Sequence, residues 1–177
     1  MIKTKRKKII KLNKTKKCFK KPKNFIFGYG SLINTYSREY TGKSYIGKPI
    51  PVILLKKAGY KRIWTCKDTK YGCNSVLGII KDKKSSNDIV GIIAPIYKCM
   101  KNFDKREKGY KKIRIKYDPK KKNIIKSLSN KKLPNYPCNI YIYVSRKNIK
   151  PKCNCPISQN YLDVVLLGCL EYGKAFA

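Results

Sequence analysis

The sequence predicts an α+β domain built on a curved, mixed but mostly antiparallel sheet of about six strands that closes into part of a barrel. Three observations support this fold class. Short runs rich in β-branched and aromatic residues recur along the chain. Most neighbouring runs are joined by short links, which favours antiparallel pairing. The clearest helical periodicity lies near the C-terminal end. The other helices are expected to be short.

The first half of the chain carries most of the predicted strands. Asn24–Tyr29 is a short apolar run that ends at a glycine, which is typical of a buried strand. Tyr36–Tyr40 is expected to form one helical turn. The further extended segments are Ile50–Leu55, Gly59–Thr65, Ser75–Lys81 and Asp88–Ile96.

The last two of these segments are expected to pair as a hairpin. Ser85-Ser-Asn87 between them has favourable turn residues. Pro95 has no backbone N–H, so the second strand should end there or lie at a sheet edge.

The second half begins with a short helix, Tyr97–Arg106, which places Cys99, Met100 and Phe103 on one face. Tyr110–Tyr117 alternates basic residues with Ile and Tyr, the pattern of a half-exposed strand.

Three segments complete the chain. Asp118–Pro137 is polar and proline-rich, which predicts a loop carrying a short helix, and Cys138–Val144 is a further strand. Ser158–Tyr172 is the clearest helix, with Ser158 as its cap and Gly173 at its end. Its apolar stripe recurs at helical spacing and comprises Leu162, Val165, Leu166 and Cys169.

Charge is the most extreme property of the composition. The 177 residues carry 44 Lys and Arg against 9 Asp and Glu, a formal net charge of +35. Residues 1–23 hold twelve basic and no acidic residues, and they are predicted to be a disordered basic tail before a domain spanning 24–177. A short basic amphipathic helix around Lys8–Leu12 is the alternative. Such a charge attracts polyanions and anionic membranes, whether or not that is the function.

Several classes of site are excluded or disfavoured by the residue types present. The chain has no histidine, which excludes Ser-His-Asp and Cys-His catalysis and His-ligated zinc. The turn at Gly28–Gly30 lacks the third glycine of a dinucleotide fingerprint, and no Gly-Lys-Ser/Thr follows it at the spacing of a P-loop. No apolar stretch approaches membrane-spanning length, and the start has no signal-peptide segment, so a cytoplasmic location is expected.

The cysteines show no repeated metal-binding spacing. Cys153-Asn-Cys155 has the wrong spacing for a common structural zinc site, and no clear second pair exists. We therefore predict reduced, scattered thiols, no metal and no cofactor. The 8 cysteines are Cys18, Cys66, Cys73, Cys99, Cys138, Cys153, Cys155 and Cys169.

A glycine-rich turn follows the first strand. In Phe25-Ile-Phe-Gly-Tyr-Gly-Ser-Leu32, glycines permit positive φ, so that successive N–H groups can converge on one point. Such a nest binds a carboxylate or an oxyanion, and Ser31 adds a hydroxyl donor. A structural turn is the simpler alternative.

One carboxylate lies in a strongly basic segment. Glu107 in Phe103-Asp-Lys-Arg-Glu-Lys-Gly-Tyr110 follows the predicted helix. Burial and the helix C-terminus raise its pKa, whereas the cationic neighbours lower it, and the sequence does not decide between them. A solvated salt bridge is the alternative role for Glu107. Asp104 is expected to serve structure by pairing with a backbone N–H or with Arg106.

These segments together resemble the γ-glutamylcyclotransferase family, the AIG2-like and ChaC-like group. Phe27-Gly-Tyr-Gly-Ser-Leu32 is similar to its glycine cradle, and Gly59-Tyr-Lys-Arg-Ile-Trp64 to its Gly-aromatic-basic strand. Phe103–Tyr110 is similar to its acid motif, and Pro156–Gly168 to the closing helix of its bacterial-type members. The resemblance spans about residues 24–173.

The resemblance implies an enzyme, a lyase or acyltransferase, that releases 5-oxoproline from γ-glutamyl compounds without a metal or cofactor. Tyr29, Gly30, Ser31 and Leu32 would bind the substrate, and Glu107 would be the general acid/base. The His-Arg-Gly segment of the glutathione-degrading ChaC branch is absent. The substrate therefore stays open between glutathione, γ-glutamyl amino acids and γ-glutamyl amines.

Two other functions compete with this enzyme. One is a nucleic-acid-binding protein, supported by the net charge, the tail and 14 tyrosines that can stack on bases. The other is a catalytically silent member of the same fold that serves interaction. The tail would also allow weak contact of an active enzyme with nucleic acid or an anionic membrane through residues 1–23.

Overall fold

The computed structural model describes residues 21–42, 47–69, 72–97, 100–146, 151 and 154–176. Most of the predicted basic tail, residues 1–20, lies outside the described residues, as does the alternative helix at Lys8–Leu12. Within the described ranges, no helix has both the length and the apolar character needed to cross a bilayer.

Eight strands in the described residues form two sheets, and the larger one curls into a half-barrel as predicted. Its six strands follow the order β6-β8-β1-β5-β2-β7, and β3 and β4 form a separate antiparallel pair. Pairing of β1 with β8 is parallel, and all other pairs are antiparallel. The strands are β1 Asn24–Gly28, β2 Ile50–Leu54, β3 Tyr60–Thr69, β4 Gly72–Lys81, β5 Ile89–Ile96, β6 Tyr110–Tyr117, β7 Ile125–Ser127 and β8 Cys138–Ser145.

The described ranges also contain three α-helices and two short 3₁₀ turns. The turns are Ser31–Ile33 and Lys56–Ala58, and the helices are α1 Thr35–Gly42, α2 Lys101–Arg106 and α3 Gln159–Leu170. The expected single turn at Tyr36–Tyr40 is thus a full helix.

Helix α2 begins later than predicted. Tyr97 forms an exposed bend, and Cys99 lies outside the described residues. Met100 and Phe103 are buried, as predicted for the apolar face of this helix.

Helix α3 begins where the sequence predicts, and all but one residue of its predicted apolar stripe are partly buried. The Ser158 hydroxyl accepts a hydrogen bond from the Tyr161 N–H and caps the helix. Leu166, predicted on the inner stripe, is 50 % exposed, whereas Gly168 is buried. An ideal Cβ on Gly168 would lie 2.5 Å from the backbone nitrogen of Asn34. The close approach at Gly168 therefore determines which face of α3 meets the domain.

The predicted hairpin between Ser75–Lys81 and Asp88–Ile96 is wrong. β4 pairs with β3 along its whole length, whereas β5 lies between β1 and β2 in the other sheet. β5 is buried at almost every position, so it needs a strand on each side to satisfy its backbone. Pro95 lies past Ile93, where the pairing with β2 ends, so its missing N–H costs no hydrogen bond to β2.

The polar segment Asp118–Pro137 carries a short strand instead of the predicted short helix. β7 pairs with β2 through Val52–Leu54 and adds the sixth strand. Ile125 is 2 % exposed, so its burial against the sheet favours the extended conformation here.

Two apolar clusters cover the two faces of β1. Phe25, Phe27 and Tyr29 point into one cluster, and Ile26 points into the other. This alternation follows from the two-residue period of a strand, and it makes β1 a buried central strand as predicted.

The prediction of scattered thiols is wrong for three cysteines. The sulfurs of Cys66, Cys73 and Cys155 lie within 4.8 Å of one another, and Cys73 and Cys155 are joined as a disulfide. Cys66 and Cys73 come together because β3 and β4 pair, a pairing that the spacing of cysteines does not reveal. Cys138 and Cys169 are free; Cys18, Cys99 and Cys153 lie outside the described residues.

Candidate functional site

One cavity is lined by both of the segments that the sequence analysis selected. All five predicted site residues line it: Tyr29, Gly30, Ser31, Leu32 and Glu107. The fold brings the two segments together because the turn after β1 lies against the C-terminal end of α2. Seven further residues complete the lining: Lys67, Val76, Leu77, Arg106, Tyr110, Tyr143 and Tyr161.

Steric crowding, rather than a left-handed backbone conformation, explains the glycine at position 30 of this turn. Gly30 has φ −141°, and the described glycines with positive φ are Gly59, Gly72 and Gly173. The expectation of positive φ in this turn is therefore wrong. A Cβ on Gly30 would lie 2.9 Å from the Tyr161 hydroxyl oxygen. Glycine is needed here because the tyrosine lies against the backbone.

A buried arginine fixes the turn from behind. Arg38 of α1 is 1 % exposed, and its Nη1 donates to the carbonyl oxygens of Leu32 at 2.9 Å and Ile33 at 2.7 Å. Its Nη2 donates to the Thr35 hydroxyl at 2.9 Å. These bonds hold the last carbonyls of the 3₁₀ turn, so the cradle has a fixed shape before any ligand arrives.

Arg106 connects the turn to the carboxylate. Its Nε lies 3.1 Å from Glu107 Oε1, and its Nη2 donates to Ser31 Oγ at 2.8 Å. Its Nη1 donates to the carbonyl of Ser37 and, at 2.6 Å, to the hydroxyl of Thr41. Because Ser31 Oγ accepts this bond, its own hydroxyl hydrogen can point into the cavity.

Glu107 is a mostly buried carboxylate, with 13 % of its side chain exposed. Burial raises its pKa above the ordinary value, while the charges of Arg106 and Lys67 lower it by a smaller amount. The sequence does not decide whether burial or the neighbouring cations dominate this pKa, and in the structure the effect of burial is the larger. A buried carboxyl group with a raised pKa is a stronger proton acceptor than an exposed one, which suits a role in proton transfer.

Tyrosine hydroxyls form much of the remaining wall. Tyr29 donates to the backbone carbonyl of Tyr143 at 2.6 Å, and the Tyr143 hydroxyl donates to Asp104 Oδ1 at 2.6 Å. Burial, with Glu107 nearby, raises the pKa of Tyr110 to about 12. These phenols therefore stay neutral and serve as hydrogen-bonding groups.

Asp104 has the structural role expected of it, but with different partners. It accepts from Tyr143 and pairs with Lys112 at 2.8 Å. The hydrogen bonds from these two groups outweigh desolvation and lower the pKa of Asp104. The pKa of Asp104 is therefore lowered whereas that of Glu107 is raised, although the two acids are only three residues apart.

Lys67, Arg106 and Tyr161 are among the lining residues that the sequence analysis did not select. Lys67 belongs to β3 and Tyr161 to α3, so only the packing of these elements brings them to the turn. The Tyr161 hydroxyl accepts the Leu77 N–H at 3.0 Å and thereby joins α3 to β4. Arg106 could have been selected from the sequence, because it directly precedes Glu107.

Together these features define an α+β half-barrel with one buried carboxylate facing a rigid glycine turn. No family model matches the chain, and neither does any curated protein. A crystal structure of an uncharacterized protein from Homo sapiens is similar over 85 % of this chain and 80 % of that one, with 16 % identity and a TM-score of 0.57. A γ-glutamyl cyclotransferase matches over the same shares, with 17 % identity and a TM-score of 0.55. The chain therefore has the γ-glutamyl cyclotransferase fold, as its motifs predict.

Proposed function

We propose that this protein is a γ-glutamylcyclotransferase-like enzyme that releases 5-oxoproline from a γ-glutamyl amino acid, peptide or amine. The observation that carries the proposal is the position of Glu107, buried in the cavity that the 29–32 turn also lines. A surface salt bridge would not need a carboxylate that is 13 % exposed, with a raised pKa, inside a cavity.

The turn supplies the groups that a substrate α-carboxylate needs. The first N–H groups of the 3₁₀ turn have no partner within a helix, and the Ser31 hydroxyl lies beside them. The Arg106 guanidinium, held against Ser31 at 2.8 Å, adds a positive charge at the same place. A carboxylate bound there would direct the rest of the γ-glutamyl group toward Glu107.

The reaction then needs a group that carries protons and a substrate held in its reactive conformation. Glu107 takes a proton from the α-ammonium group, and the free amine attacks the γ-carbonyl carbon of the same molecule. The new C–N bond closes a five-membered ring, and the original amide C–N bond breaks. Glu107 returns this proton to the amide nitrogen as its bond breaks, and the second proton lost by the ring nitrogen also ends on the departing amine, which leaves as an ammonium ion. Because the attack is intramolecular, fixing the reactive conformation contributes much of the acceleration.

The test is release of 5-oxoproline from glutathione, γ-glutamyl amino acids and γ-glutamyl amines by wild type and Glu107→Gln. We expect the wild type to turn over at least one compound and Glu107→Gln to lose at least about 100-fold in kcat, the low end for general acid–base catalysis. Glu39→Gln is the matched control, because Glu39 is exposed on α1. A folded Glu107→Gln protein with full turnover would remove Glu107 as the base.

The second candidate is a silent member of the fold that binds nucleic acid, favoured by the net charge of +35. It predicts no turnover of any compound in the panel and polyanion binding that weakens steeply with salt.

A further inference from the structure

We propose that Cys66, Cys73 and Cys155, in their reduced form, bind one Zn²⁺ ion that fastens the β3–β4 hairpin to the segment leading into α3. The inference goes beyond the proposed enzyme, whose reaction uses no metal. It depends on side chains outside the cavity described above.

The three sulfurs lie close enough together to bind a single ion once the Cys73–Cys155 bond is reduced. Cys66 Sγ lies 2.8 Å from Cys73 Sγ and 3.0 Å from Cys155 Sγ, and all three sulfurs fall within 4.8 Å of one another. Tetrahedral zinc with Zn–S bonds of about 2.3 Å separates its sulfurs by about 3.8 Å. Once the Cys73–Cys155 bond is reduced, rotation of the cysteine side chains would let the sulfurs separate to this distance.

The backbone around the thiols is fixed by buried hydrogen bonds. The Ser75 N–H donates to the Pro156 carbonyl at 2.8 Å, and the Ser75 hydroxyl donates to the Cys155 carbonyl at 2.6 Å. Ser75 is 2 % exposed and lies directly opposite Cys66 in the β3–β4 register. The three ligands therefore come from three chain segments held in place without a metal, which lowers the entropic cost of binding one.

A disulfide does not account for all three thiols. Joining Cys73 to Cys155 leaves Cys66 within 3.0 Å of both sulfurs without a role. Zinc uses all three as thiolates, releasing one proton from each thiol as it binds. Three soft thiolate ligands select zinc over magnesium or calcium. The proposal does not depend on Cys153, which lies outside the described residues.

The position of the group suggests what the ion does. Lys67 follows Cys66 on β3, and Val76 and Leu77 follow Ser75 on β4; all three line the cavity. Tyr161, six residues after Cys155, accepts the Leu77 N–H at 3.0 Å. An ion at the cysteines would therefore brace one wall of the cavity from outside, as a structural site.

The test measures zinc in untagged full-length protein, reduced and then incubated with Zn²⁺ alone before excess ion is removed. Elemental analysis should give about one zinc per chain, and a chelator should lower the Tm of the reduced protein. Co²⁺ in place of zinc should give sulfur-to-cobalt charge-transfer absorption. None of these three readouts depends on turnover, so failure here is distinct from failure of the proposed enzyme.

Cys66→Ser is the decisive variant because it leaves the Cys73–Cys155 pair intact. We expect Cys66→Ser to lose the tightly held zinc and the cobalt absorption, and Cys155→Ser to do the same. Cys169→Ser is the matched control, because Cys169 is a free, partly buried thiol on α3 outside the group. Reduced, folded wild type that holds no zinc, or a Cys66→Ser protein that keeps it, would overturn the proposal in favour of a simple disulfide.

Discussion

Glu107 lies near two cations that reach it from different elements, Arg106 beside it in sequence and Lys67 from β3. Both lower its pKa, while burial raises the pKa further than they lower it. In the proposed reaction Glu107 acts as a base in its ionised form, so this balance would set the acidic limit of activity. Lys67 is the cation that can be removed without disturbing the bonds that Arg106 makes to the turn.

Lys67→Met should shift the acidic limb of the kcat/KM profile to higher pH. With one positive charge removed, the protonated form of Glu107 is favoured, so its pKa rises and less base is ionised at a given pH. Lys61→Met is the control, because Lys61 is an exposed lysine on the same strand. An acidic limb that stays in place or moves to lower pH would contradict this electrostatic role.

Gly30→Ala should raise KM about tenfold, equivalent to ~1.4 kcal/mol of substrate binding. The added methyl group would lie 2.9 Å from the Tyr161 hydroxyl oxygen and displace it into the cavity. Steady-state kinetics of Gly30→Ala and Gly109→Ala provide the comparison, since a Cβ on Gly109 meets nothing within 4 Å. Equal KM values for the two variants would argue against the cradle.

Among the single residues around the cavity, the sequence selects those that lie within a local motif. It misses those that the packing of other elements brings to the cavity. The Gly-Tyr-Gly-Ser-Leu turn and Glu107 were found because their chemistry is local. Arg38 was missed because its function, holding the carbonyls of Leu32 and Ile33, depends on complete burial at α1. No local pattern in the sequence marks this arginine as buried.

Among the elements, α3 packs closely against backbone atoms at a glycine. Its contact with the domain runs through Gly168, where a Cβ would lie 2.5 Å from the Asn34 nitrogen. Backbone atoms cannot move aside as a flexible side chain can. The helix is therefore held to the segment that follows the glycine turn.

Gly168→Ala should destabilise the protein by about 1–3 kcal/mol, the usual cost of overpacking. Alanine is intrinsically better than glycine in a helix by about 1 kcal/mol, so a net loss requires the clash to exceed that gain. Denaturant unfolding measures the difference. Leu167→Ala is the control: Leu167 is 59 % exposed, and its removal should change stability by no more than about 0.5 kcal/mol. A Gly168→Ala protein as stable as wild type would contradict the packing.

The strands themselves were predictable, but their partners were not. Alternation and β-branched runs located β1, β2, β5, β6 and β8, because these signals are local. Pairing of β4 with β3 rather than β5 depends on burial of β5 between two other strands. That preference involves residues distant in sequence, so a favourable turn at Ser85–Asn87 was misleading.

The molecule as a whole is dominated by positive charge, part of it in the N-terminal segment. Residues 1–20 hold ten of the 44 lysines and arginines. Lys21 lies 5.3 Å from the Tyr136 ring centroid, and the Lys23 carbonyl accepts the Asn139 N–H at 2.9 Å. A truncation should therefore stop after residue 20 rather than at the predicted boundary after residue 23.

Deleting residues 1–20 should weaken binding to single-stranded DNA and flatten its salt dependence, while 5-oxoproline release stays unchanged. Each lost phosphate contact lowers the slope of log K against log salt by about 0.7 for single strands. Titrations of full-length and truncated protein at several salt concentrations measure it. Unchanged affinity after truncation would place the polyanion contact on the domain instead.

The fold class of the whole chain was predictable because its motifs occur in the order of a known family. The half-barrel, the closing helix and the meeting of the two motifs at one cavity follow from that order. The cysteine group was not predictable, because its members are separated by up to 89 residues and meet only through tertiary packing.

The parallel pairing of β1 with β8 has a consequence for how this chain folds as it is synthesised. β1 leaves the ribosome first, yet Asn24–Ile26 pair with residues 139–141, more than a hundred residues later. Until β8 is made, β1 has β5 on one side and an open hydrogen-bonding edge on the other. The sheet therefore closes late, and nascent chains that end before Cys138 expose an apolar strand edge to proteases and to one another.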